Sequence, residues 1–101
     1  MEQDPFDIAG QEIDQIAQRN KEVLQRQQEI ADVLAIIKTA AGRRFIWRML
    51  GIAGVYRSSF SSDLAVMAKA EGRREFGLII LADVSEADPM AYTNMLKEQN
   101  K

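Results

Sequence analysis

Cysteine and histidine are both missing from this 101-residue chain. Without cysteine there is no disulfide framework and no thiolate chemistry. Without histidine the commonest general acid–base group and metal ligand is gone. Apolar runs are short: one such as Leu78 to Ala82 falls far below the roughly 20 residues of a membrane-spanning helix. The start, MEQDPFDIAG, is acidic and has neither the basic opening nor the apolar stretch of a secretion signal. The expectation is a soluble intracellular protein with no membrane span.

Groups for catalysis are equally sparse. Ser58, Ser59, Ser61 and Ser62 have no histidine to activate them, and no GxSxG elbow is present. Neither GRR triplet, at residues 42–44 and 72–74, fits a phosphate-binding glycine fingerprint. Asp83, Glu86 and Asp88 lie close in sequence, but a hard-cation site needs several oxygens in a shaped loop. They read instead as helix caps and surface charge. No catalytic residue, cofactor, metal or small-molecule substrate is assigned, and the chain is read as a non-enzyme.

What is present is helical pattern. One domain with an appendage suits the length, and the fold expected is all-α: an amphipathic, heptad-like helix over residues 1–38, then a compact three-helix bundle over residues 39–101. Ile13, Ile16, Asn20, Val23, Gln27, Ile30, Leu34 and Ile37 follow alternating steps of three and four along one seam. Most other positions there are good helix formers. These eight residues are the candidate contacts of a homo-oligomer, with Asn20 and Gln27 as polar sites able to set coiled-coil register. The same stripe also suits a helix lying on its own domain, and IADVLAII (residues 30–37) is apolar enough to dock on a core in either case.

Helix boundaries are marked by residue type. Residues 1–6 read as frayed, with Asp7 as a helix cap. Thr39 caps a second helix that Gly54 terminates in a left-handed turn, and YRSSFSS forms the loop. Ser62 or Asp63 caps a third helix to about Val84. Gly51, Gly72 and Gly77 suggest close helix crossing, and Phe76 to Ala82, apolar almost all round, reads as the central core element. Asp88-Pro89 restarts the chain as cap and first position of a last helix, which docks through Met90, Tyr92 or Thr93, and Leu96. The tail KEQNK is expected to be mobile.

Charge is segregated. Residues 1–37 carry eight acids and three bases, residues 38–74 eight bases and two acids, and residues 75–101 five acids and two bases. Arg43, Arg57 and Arg73, near the aromatic residues Trp47, Tyr56 and Phe60, are candidate nucleic-acid contacts, since guanidinium groups meet phosphate and aromatic rings stack on bases. Alternatively the arginines of this region, Arg44 and Arg48 above all, are structural. One of these two is then expected near the core, with Glu71 and Glu75 as partners across the helix crossing.

The succession TAAGRRFIWRMLGIAGVYRSSF and EGRREFGLIILADV, within residues 39–84, resembles a small helical domain of tailed-phage genomes, typified by a structural-cluster protein of a Bordetella podophage. Departures fall in the loop, where Ser61-Ser62-Asp63 replaces a glycine-bearing turn, and at Ala70, where asparagine is common. The resemblance implies a virion component of a short-tailed phage, made in the host cytoplasm. It would assemble with itself and other virion proteins at the portal or tail, or as an internal core or DNA-ejection component. It implies no catalytic residues. The competing expectations are a small nucleic-acid-binding protein using the basic 43–74 region, and an assembly scaffold absent from the mature particle.

Overall fold

The computed structural model describes the backbone of residues 5–100 and the side chains of residues 8–100. These residues form four helices and no strand: α1 (Pro5–Ile37), α2 (Ala40–Ala53), α3 (Leu64–Ala87) and α4 (Ala91–Gln99). The chain is all-α, as its periodicity dictates. α1 is already helical at Pro5, so Asp7 lies inside the helix rather than capping it; proline suits a first turn because its missing N–H has no partner there anyway. Residues 1–4, part of the stretch expected to fray, lie outside the described residues, as does Lys101 at the end of the tail. The rest of that tail is helical through Gln99.

Local chemistry sets most breaks. Thr39 adopts an extended backbone that ends one helix and begins the next, and its Oγ1 accepts the Gly42 N–H at 2.9 Å. Gly54, at φ 77°, closes α2 by donating its N–H to the Leu50 and Gly51 carbonyls, a left-handed geometry that a side chain would oppose. In the following loop Ser58 Oγ accepts the Phe60 N–H and Ser61 Oγ the Asp63 N–H, both at 3.1 Å. Asp63 then caps α3, accepting from Ala65 and Val66. Asp88 acts differently from expectation. It ends α3 by donating its N–H to the Val84 carbonyl, and its carboxylate accepts the Met90 N–H within a turn. α4 therefore starts two residues later than expected, at Ala91.

The core lies where all four helices meet. Ile37 of α1, Ile46 and Leu50 of α2, Val84 of α3, and Ala91 and Met95 of α4 are its buried members. Val33, Leu34, Trp47, Val55, Ile80, Leu81 and Ala87 pack around them. α4 docks through Ala91 and Met95, with Tyr92 half-buried; Met90 and Leu96 stay exposed.

Several expectations are corrected by this packing. Phe76 to Ala82 is not a central element: Gly77, Ile80 and Leu81 face inward, while Phe76, Leu78, Ile79 and Ala82 are exposed. A helix apolar on every face needs neighbours on every side, and three partner helices of this size cannot enclose it. Arg44 and Arg48 are both exposed, because Ile46, Trp47 and Leu50 turn inward and leave them on the outer face; the Arg48 guanidinium lies 5.6 Å from the Phe45 ring centre. Of the three glycines offered for close crossing, only Gly77 makes one. A Cβ there would fall 2.5 Å from Ala53 Cβ and 2.7 Å from Val55 Cγ1, whereas Gly51 and Gly72 face open space. The two GRR triplets also differ in role, since a Cβ at Gly42 would strike the Ile36 carbonyl.

α1 is an unbroken helix of 33 residues, about 50 Å long at 1.5 Å per residue. Only its last turns join the core. The molecule is accordingly elongated, at 64 × 39 × 16 Å, and its 20.2 Å radius of gyration far exceeds the roughly 13 Å of a compact 100-residue domain.

Candidate interaction surfaces

Three open surfaces follow from this geometry. The first is the arm of α1. The seam splits along its length: Ile37 is buried and Leu34 packed in the protein's own core, Ile30 is half-buried, and Ile13, Ile16, Asn20, Val23 and Gln27 face solvent. Ile13 is 66% exposed, Ile16 59% and Val23 51%, with Leu24 beside them at 65%.

The second is a cationic cleft of about 250 Å³ between the turn after α2 and the first half of α3, with Arg57, Ser58, Ser59, Arg73 and Arg74 on its walls. The left-handed turn at Gly54 sets Arg57 there, its N–H bonded to the Gly54 carbonyl at 3.1 Å. Two of the three sequence candidates, Arg57 and Arg73, thus converge. Glu71 offsets part of the charge: it accepts from Ser59 Oγ and lies 3.6 Å from Arg74 on its own helix. Its expected partnership with arginines across the crossing is therefore not made.

The third is an apolar groove of about 390 Å³ between α2 and α3, lined by Met49, Ile52, Ala53, Gly72, Phe76 and Ile80, with Arg73 at its edge. Ile52, Ala53 and Arg73 line both depressions, so groove and cleft are continuous.

Arg43 stands apart. Its Nε donates to Glu98 at 2.7 Å, and its Nη1 donates to the Ile37 and Lys38 carbonyls at 3.0 and 3.1 Å. One guanidinium therefore satisfies the orphan carbonyls ending α1 and ties α2 to α4, a use suited to its rigid fork of donors. Arg26 does similar work on α1, reaching Asp83 at 2.7 Å and Glu86 at 2.6 Å on α3 as well as Glu29 at 3.2 Å. These carboxylates, Asp83 first, raise the guanidinium's pKa further above its already high value. With Asp83 and Glu86 so engaged and Asp88 capping its turn, no group of three acids is placed to hold a metal among the described residues.

Trp47, Tyr56 and Tyr92 form a mutual cluster, with ring centres 5.7 to 6.2 Å apart. Partial burial of the Tyr56 ring, with Tyr92 beside it, pushes the Tyr56 phenol up to about 12. Because the folded value lies above the unfolded value of about 10, the proton is held longer in the native state, and stability falls as pH rises from 10 towards 12. Spectrophotometric titration of a Tyr92→Phe variant, which keeps the ring but removes the neighbouring hydroxyl, should leave Tyr56 ionising above pH 10; ionisation at pH 10 would mean that ring burial does not contribute to the shift.

Sequence reading missed Ile52 and Phe76 as surface features. The available signal was Phe76 to Ala82 itself, since a small protein rarely has enough neighbours to cover such a helix. The Arg26 and Arg43 pairings span 57 and 55 residues and leave no local pattern.

Among known proteins, the family model described as Bbp19-like phage protein matches residues 34–97, which includes the core, cleft and groove but not the arm. No curated protein and no solved structure matches the chain.

Proposed function

We propose, from the premise that this chain belongs to the Bbp19-like phage protein family, that it is a virion-associated structural protein assembling in multiple copies. Its place is the portal or tail, or the internal core that takes part in DNA ejection. The observation that carries this reading is the amount of surface left open. The chain exposes 7882 Å², against roughly 5,800 Å² for a compact monomer of its mass. The excess, about 2,000 Å² on one chain, is more than the roughly 800 Å² that each partner gives to a standard protein–protein interface, and much of it is apolar side chain on the arm and on α3.

Mass spectrometry of purified phage particles tests the location. The protein should be found at several copies per particle. Detection in infected cells but not in particles would replace this reading with that of an assembly scaffold. A second reading has one specific observation in its favour: Arg57, Arg73 and Arg74 gather in one cleft and could meet nucleic-acid phosphate. Binding of that kind weakens steeply with salt, by a log–log slope of about −0.9 per phosphate neutralised. No binding to duplex or single-stranded DNA at low salt would remove it.

A further inference from the structure

We propose that the free arm of α1, residues 8–24, docks in the α2–α3 groove of a second copy of this chain, head to tail, with its acidic end against Arg57, Arg73 and Arg74. This rests on the multi-copy reading above and names the two surfaces that meet.

The groove asks for a particular occupant. It is apolar along Met49, Ile52, Phe76 and Ile80 and cationic where it opens into the cleft. An amphipathic helix with an apolar stripe and carboxylates towards one end satisfies both parts. The arm has that composition: Ile13, Ile16 and Val23 form the stripe, and its outer part, residues 8–18, carries Glu12 and Asp14 and no base. The register also fits. From Arg73 to Ile80, α3 rises about 10 Å, and from Ile16 to Val23 the arm rises the same distance. An arm running in the same direction as α3 therefore lays Ile16 to Val23 along the apolar part and brings Glu12 and Asp14 to the arginines.

The arm cannot reach its own groove, because α1 continues without a break from Pro5 to Ile37. The donor must be another molecule. Pairing of two arms in a coiled coil is the weaker alternative. With Leu34 and Ile37 packed in the core and Ile30 half-buried, the free seam is limited to Ile13, Ile16, Asn20, Val23 and Gln27; pairing along all of it would bury Asn20 and Gln27, whereas the groove contact from Ile16 to Val23 encloses Asn20 alone. Arm-in-groove contact is heterologous, so it propagates from copy to copy and closes into a ring when the rotation allows.

Two full-length variants test this by sedimentation velocity: an arm variant, Ile16→Glu with Val23→Glu, and a groove variant, Phe76→Glu. All three positions are exposed, so far-UV circular dichroism spectra should show a helix content close to that of the unaltered chain. The unaltered chain should be oligomeric and each variant monomeric. An equimolar mixture should contain a species of twice the monomer mass, since it holds one intact arm and one intact groove, and its yield should fall when Arg57 and Arg73 of the arm variant are changed to Glu. A Phe76→Glu chain that keeps the full oligomer while the arm variant loses it would overturn the proposal in favour of arm–arm pairing and leave multi-copy assembly standing. A mixture with no dimer would also overturn it. An unaltered chain that stays monomeric would sink both this proposal and the self-assembly reading. Low-salt binding of a DNA oligonucleotide, abolished by Arg57→Ala with Arg73→Ala and competing with the mixed dimer, would reassign the arginines to nucleic acid.

Discussion

Leu50→Ala should lower the free energy of unfolding by about 2–5 kcal/mol, the range for truncating a buried leucine when its surroundings relax only in part. Leu50 has no exposed surface and sits among side chains from all four helices. Small domains have only about 5–15 kcal/mol in total, and few side chains are fully buried here. One truncation at the junction therefore removes a large share of what holds α1, α2, α3 and α4 together. Urea unfolding followed by Trp47 fluorescence is the measurement, made in the Ile16→Glu, Val23→Glu background so that association does not add to the apparent stability. Ile52→Ala, on the same helix but 62% exposed, should change stability by no more than about 0.5 kcal/mol. Equal effects at the two positions would mean that Leu50 is not at the junction.

Gly77→Ala should destabilise while Gly72→Ala stabilises, although both lie on α3 and both changes improve helix propensity by about 1 kcal/mol. The difference comes from the neighbour. At Gly77 the new methyl group would meet Ala53 Cβ at 2.5 Å and Val55 Cγ1 at 2.7 Å. Ala53 has no rotamer by which to yield, so α2 and α3 must separate, and overpacking of this kind costs about 1–3 kcal/mol. At Gly72 the methyl group enters open space at the edge of the apolar groove. Thermal melts of the two variants, both made in the Ile16→Glu, Val23→Glu background and set beside it, would show opposite shifts. A Gly77→Ala chain as stable as Gly72→Ala would show that the two helices do not cross closely.

The contrast between these glycines shows where sequence reading stops. Thr39, Gly54 and Asp63 were legible because a cap is a local event: side chain and backbone partner lie within three or four residues of each other. Glycine at positions 51, 72 and 77 looks the same in sequence, and only the helix lying opposite separates a crossing point from open surface. Asp88-Pro89 was read as the start of a helix from the same local rules, yet the end of α3 takes the Asp88 N–H and the carboxylate serves the turn. Two local uses competed, and the preceding helix won.

The candidate site shows the same division. Arg57 and Arg73 could be named as basic candidates from the charge of residues 38–74. That they share a cleft with Arg74, while Arg43 spans three helices, depends on the return of α3 past the turn after α2.

Periodicity, capping residues and composition were enough to make this an all-α chain with one long amphipathic helix, and the two linked motifs in residues 39–84 were enough for its family. Each of these rests on interactions within a few residues, or on residue order itself. Tertiary structure alone decided which part of the α1 seam is used at home and which part is left over, and which face of Phe76 to Ala82 is covered. Burial is a competition among helices for a limited number of partners, and four helices of these lengths leave the arm and the outer face of α3 without one.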